Sequence, residues 1–158
     1  MTERLTHVDA AGAARMVDVS GKDVSARKAV ASGKVLVSAE VVAALRGDGV
    51  PKGDALAVAR IAGIQGAKKT PDLVPLCHPI AISGVTVDLR VDDDAVVITA
   101  TVKTTDRTGV EMEALTAVSV AGLALVDMVK ALDPAAVISD VRVESKEGGK
   151  TGHWERPE

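Results

Sequence analysis

Asp127 and Lys130 stand three residues apart in the segment ALVDMVKA, a spacing that puts a carboxylate and an ammonium on one face of a helix. Such a carboxylate can hold the ammonium in place. Partial burial behind the apolar run from Ala114 to Val126 is expected to lower the lysine towards a useful acid-base range. An ordinary surface ion pair has the same spacing. A second concentration is KKTPDLVPLCHPI, Lys68 to Ile80, with two lysines, three prolines, the only cysteine and one of three histidines in thirteen residues. Three prolines deny it a regular helix or central strand, so Lys68, Lys69, Cys77 and His78 are presented from a stiff loop. They offer fixed positive charge, a thiol and a group that titrates near neutral pH. A rigid loop with a buried Cys and a structural His fits the same letters.

The elements that must position these groups follow from periodicity and punctuation. MVDVS and Val24 to Val37 read as extended, with Gly33 as a bulge or bend, and Ser38 caps a short helix, AEVVAALRG. Gly47, Gly49 and Pro51 break the chain. A second helix is predicted from about Lys52 or Gly53 to about Gln65, with Leu56, Ala59, Ile61 and Ile64 facing inward. SGVTVDLRV and AVVITATVKT alternate around Asp92, Asp93 and Asp94 and read as an antiparallel hairpin with a solvated turn rather than a divalent-metal site. Thr108 and Glu111 spell a T-x-x-E capping box for the longest helix, about Gly109 to Leu132, which Pro134 blocks. VISDVRVESK is a final strand. This order predicts an α+β single domain over residues 1–158, a mostly antiparallel four-stranded sheet with helices packed on one face, and flexible ends at 1–15 and 148–158.

Glu111, Met112 and Glu113 open the helix that ends in Asp127. Fourteen residues separate Glu113 from Asp127, about 21 Å of helix, so one chain cannot bring both to one small pocket. A twofold dimer with antiparallel copies of this helix could. Composition points the same way. With one Trp and no Phe or Tyr, the interior rests on Val, Ala, Leu, Ile and Met, which bury little area each, so burial between subunits would help.

A formal charge of −3 and the lack of stacking aromatics argue against a nucleic-acid binder. One cysteine excludes an internal disulfide, residues 1–20 carry no signal-like apolar run, and thirteen apolar residues are too few to span a bilayer, so cytoplasm is the expected compartment. Gly149, Lys150 and Thr151 imitate the end of a P-loop, yet Glu144 stands where the leading glycine belongs and only seven residues follow. His7, His78 and His153 lie far apart, so no metal site is expected.

KKTPDLVPLCHPI, GVEMEALTAVSVAGLALVDMVKA and ESKEGGKTG, with MVDVSGKDVSARKAVASG and PKGDALAVARIAGIQGAKKT, closely resemble the cyclic pyranopterin monophosphate synthase family, the C proteins of molybdenum cofactor biosynthesis. The likeness covers nearly the whole chain. It departs at Lys28 after Arg27 and at Thr151, where the tail more often has Ser. The resemblance implies a ferredoxin-like fold and a homohexamer, a trimer of dimers with sites at the dimer interface. It implies a lyase that converts a cyclised GTP derivative, a 3',8-cyclo-dihydroguanosine triphosphate, to cyclic pyranopterin monophosphate and pyrophosphate. By that likeness Lys52, Asp127 and Lys130 are catalytic, while Leu76, Cys77, His78, Met112 and Glu113 contact substrate. Arg27, Lys68 and Lys146 complete a basic pocket. No cofactor is implied, and whether Mg²⁺ accompanies the phosphates is left open. Two other readings fit parts of the pattern: a nucleotide-sensing oligomer that binds a triphosphate unchanged, and a metal-dependent hydrolase using Cys77 and His78.

Overall fold

A computed structural model describes residues 6–47, 49–50 and 52–158; the chain break expected at Pro51 and residues 1–5 lie outside them. The elements are β1 (Ser25–Leu36), α1 (Ala39–Arg46), α2 (Ala55–Lys68), α3 (Thr70–Leu73), β2 (Ile82–Val91), β3 (Ala95–Asp106), α4 (Glu111–Val129), β4 (Val137–Glu147) and β5 (Trp154–Glu155). The sheet order is β2-β3-β1-β4-β5 and every pairing is antiparallel. Its first four strands have the ferredoxin-like order. Within 148–158, the two-residue β5 adds a fifth strand against Ser145 and Lys146.

Short-range signals place most elements. Ser38 accepts the Val41 amide and caps α1, and Asp54 does the same for α2 through the Ala57 amide. The β2–β3 hairpin keeps its alternation, and its aspartate turn is held by Arg90 on Asp92 (3.0 Å) and Arg46 on Asp93 (3.3 Å). Three details differ from the sequence expectation. The capping box at Thr108 does not form: α4 starts at Glu111 without a side-chain cap, and Glu111 pairs with Lys146 at 3.3 Å instead. Pro71 sits in the first turn of the four-residue α3, where a missing amide is harmless, so part of the proline segment is helical. Opposite Gly33 the extra residue lies on β4, where Asp140 takes φ 55°.

α2 and α4 run antiparallel across one sheet face, because Gly63 meets Ala117 and Ala121 while Gly66 meets Thr116 and Val120. A Cβ at Gly63 would stand 2.9 Å from the Ala117 carbonyl oxygen, so the helices touch almost backbone to backbone. That approach corrects the inward face expected for α2. Ala55, Ala59, Gly63, Gly66 and Ala67 are buried, whereas Ile61 is 58% exposed. The seam takes small residues, so a larger one is turned outward. Beneath it lies a core of Val35, Val96, Ile98, Val102, Val118, Leu125 and Val129 with many alanines. By length and hydropathy α4 resembles a membrane span, but 56% of it is buried in this fold.

Candidate active site

The antiparallel helix pair gathers the sequence candidates into two groups, one at each end of α4. At its C-terminal end Asp127 lies in the last turn and Lys130 at the cap. Lys130 Nζ donates to Asp127 Oδ1 at 2.7 Å, and Lys52 Nζ, from the loop before α2, donates to Oδ2 at 3.1 Å. Each carboxylate oxygen therefore holds one ammonium. Those two donors, Lys130 first, keep the Asp127 carboxyl below its usual range, so it stays ionised. The partial burial expected for the pair is absent in the single chain, where all three side chains stand about half exposed. The last turn of α4 buries Leu125, Met128 and Val129 and leaves Asp127 on its exposed side.

At the N-terminal end the chemistry is reversed. Glu113 is 1% exposed and neither carboxylate oxygen has a hydrogen-bond partner of proper geometry among the described residues. Burial pushes its pKa from 4.5 up to about 7, against a small opposing effect of its own amide and with a further push from Glu111. The thiol of half-buried Cys77, whose backbone N–H donates to the Val74 carbonyl, is also raised in pKa by burial first, then by Glu113 and Glu111. Its thiol therefore stays protonated, which disfavours thiolate nucleophile or metal-ligand roles. Nε2 of His78 meets the Val17 carbonyl. A carbonyl only accepts, so Nε2 carries the proton in this contact. Leu76 precedes this pair, and Met112 is partly exposed beside Glu113.

The basic residues divide. Lys146 reaches Glu111 and Arg27 binds the Asp106 and Arg107 carbonyls, both near the N-terminal end of α4. Lys68, in the last turn of α2, lines a separate groove of about 380 Å³ with Ile64, Ile80 and Ile82. That groove shares no lining residue with the cavity beside Arg27. Asp18 and Arg107, which the sequence reading left unassigned, line a groove of about 420 Å³ with His78. MVDVS, expected to be extended, joins no strand of the sheet. It is irregular chain lying along the Cys77–His78 turn, and an acidic residue between valines was the only signal.

Among the described residues no three His, Cys, Asp or Glu side chains converge as a metal site. An exposed stripe runs along α4 through Met112, Ser119, Leu123, Asp127 and Lys130, and it joins the two groups. Leu123 in its middle is 63% exposed.

Residues 16–149 match the MoaC family. The chain is 75% identical over 154 residues to a cyclic pyranopterin monophosphate synthase of Streptomyces avermitilis, covering 98% of this chain and 91% of the relative. A protein of the same name from Nocardioides sp. is 73% identical over 157 residues, covering 98% and 96%. Cyclic pyranopterin monophosphate synthase 2 of Mycobacterium tuberculosis is 59% identical over 152 residues, covering 96% and 91%.

Proposed function

The chain belongs to the MoaC family and is an enzyme of molybdenum cofactor biosynthesis that makes cyclic pyranopterin monophosphate, and we propose that it does so where the Asp127 group of one protomer faces the Glu113 end of another. One observation carries this reading: Lys52 and Lys130, from distant parts of the chain, converge on the two oxygens of a single ionised carboxylate. Two aimed ammonium groups are what a reaction with several proton transfers on a polyanion needs.

The substrate in this scheme is the cyclised GTP derivative. Its purine-derived ring opens and recloses, with protons delivered and removed at several positions. A substrate hydroxyl then bonds to the α-phosphorus while the bond from that phosphorus to the pyrophosphate oxygen breaks. The hydroxyl proton must leave, and the departing pyrophosphate must be stabilised. Lys52 and Lys130 act as general acids and bases, with Asp127 fixing their direction. Arg27, Lys68 and Lys146 hold the phosphates. Leu76, the Cys77 thiol, His78, Met112 and the buried Glu113 contact the ring. The scheme requires no cofactor, and any Mg²⁺ would accompany the substrate's phosphates.

A second copy supplies what the single chain lacks. The ammonium groups around Asp127 face open solvent, and desolvation would strengthen every charge interaction there. Leu123, Ile61, Val58 and Met112 leave apolar surface on the helix layer between the two groups. Antiparallel packing of two α4 copies covers this surface and brings unlike ends together. The full assembly is a homohexamer, a trimer of such dimers, in the cytoplasm.

The test supplies the cyclised GTP derivative and follows pyrophosphate together with an oxidisable pterin. The wild type releases both in equal amounts, and Lys52→Ala lowers the rate by about 10²-fold or more. Binding without pyrophosphate release would make the protein a nucleotide sensor and overturn the reading.

A further inference from the structure

Among the described residues only three polar side chains are buried: Glu113 at 1% exposed, Thr70 at 0% and Thr104 at 2%. The two threonines stand at either end of one segment, which carries Leu76, Cys77 and His78. Thr70, where α2 passes into α3, donates its hydroxyl to the Ala67 carbonyl at 2.9 Å and meets the Gly66 carbonyl at 3.3 Å. Its own carbonyl accepts the Val74 amide at 2.8 Å, and the Val74 carbonyl accepts the Cys77 amide at 3.1 Å. A relay of hydrogen bonds therefore runs from the end of α2 to the backbone of Cys77. At the other end Thr104, on the inward side of β3, donates its hydroxyl to the Ala81 carbonyl at 2.6 Å, while the Ala81 amide donates to the Asp106 carboxylate at 3.3 Å. Both backbone groups of Ala81 are thus held by β3, one residue before β2 begins.

Stability alone does not call for these hydroxyls. Valine has the same shape, and a buried hydroxyl bond brings only a modest net gain. Ala100 and Val102 fill the equivalent inward positions of β3 with apolar side chains. What a donor adds is direction, since a satisfied buried polar contact fixes one arrangement where aliphatic packing tolerates several. Resting on the proposed function for its catalytic meaning, we infer that Thr70 and Thr104 are positioning residues, which clamp the turn bearing Leu76, Cys77 and His78 at both ends and hold it against the start of α4, where Glu113 lies. They act through the backbone rather than on the substrate. α3 packs on α4, so the Thr70 end is referenced to the helix that carries Glu113, and the Thr104 end to the strand that leads into it. Pro71, Pro75 and Pro79 stiffen the chain between. The Cys77 thiol is accordingly held close enough to Glu113 to feel its charge.

Cys77 is the only cysteine, so its alkylation by iodoacetamide reads the turn without any substrate. Thr70→Val and Thr104→Val should each speed alkylation at fixed pH by about threefold to tenfold. Thr70→Ser and Thr104→Ser lose a methyl group and some packing but keep the donor, so they should alkylate at the wild-type rate despite a lower unfolding midpoint. A merely structural role would order the variants by midpoint instead. With the cyclised GTP derivative, the valine variants should lose about tenfold to 10²-fold in kcat/KM, and the serine variants should recover most of it. Unchanged alkylation in both valine variants, or rates that follow the midpoint, would overturn the clamp even in an active synthase. Faster alkylation with unchanged turnover would overturn its part in the reaction. The expected alkylation pattern in a protein that forms no product would instead keep the clamp and remove the proposed function.

Discussion

The two ends of α4 are prepared in opposite ways. At Asp127 the carboxylate is exposed, donates nothing and accepts from two ammonium groups, so its charged form is favoured. At Glu113 the carboxyl is buried without a hydrogen-bond partner among the described residues, and its neutral form persists to about pH 7. The neighbouring Cys77 thiol is held protonated for the same reason. One helix thus carries groups of one chemical type in two protonation states, and the environment, rather than the residue, decides which. The exposed end stays half open to solvent in the single chain, whereas the buried end is enclosed within it.

The contrast is broken most directly by Asp127→Asn. It should lower kcat by about 10²-fold to 10⁴-fold while leaving circular dichroism and subunit mass unchanged. A loss below tenfold would move the chemistry away from the exposed end. Shared sites give the next effect. Asp127→Asn and Glu113→Ala subunits, each inactive alone, should recover about a quarter of the wild-type activity when refolded in equal mixture, because a mixed dimer carries one intact site. No recovery would mean that the two ends do not meet across a protomer boundary.

Glu113→Gln sharpens the other half of the comparison. The Glu113 pKa is raised from 4.5 to about 7 in the folded state, so the native protein binds the extra proton between those values. Its contribution is fully present below pH 4.5 and is lost as pH rises through 7. Urea unfolding should therefore show the wild type losing up to roughly 3 kcal/mol between pH 4.5 and 8 relative to Glu113→Gln. Parallel stability curves for the two proteins would show that the carboxyl is not strained by burial. Gly63→Ala acts on the seam that sets both ends, and forcing the helices apart should cost about 1–3 kcal/mol in the same assay. Arg46→Ala, in the exposed turn pair with Asp93, should leave the unfolding midpoint unchanged.

The order of elements was legible because its signals are local. Ser38 caps α1, alternation marks the β2–β3 hairpin, and Pro134 stops the chain soon after α4. The spacing of Asp127 and Lys130 needed only helix geometry. Other features were misread because a short window cannot know which neighbour will arrive. Ile61 fits an inward helical stripe by period, yet glycines at 63 and 66 let α4 so close that the seam holds small residues and Ile61 faces out. Glu111 fits a capping box by spacing, but Lys146 on a distant strand takes it.

The sequence by itself determined the α+β order, the valine and alanine interior and the presence of charged groups at both ends of one helix. Only the tertiary structure decided that Lys52 would meet Asp127, that Glu113 would be sealed without a partner, and that Gly149 would rest on Arg27. Capping and periodicity act over a few residues of chain. Desolvation and charge pairing depend on distances across the fold, and those are set when elements remote in sequence pack together.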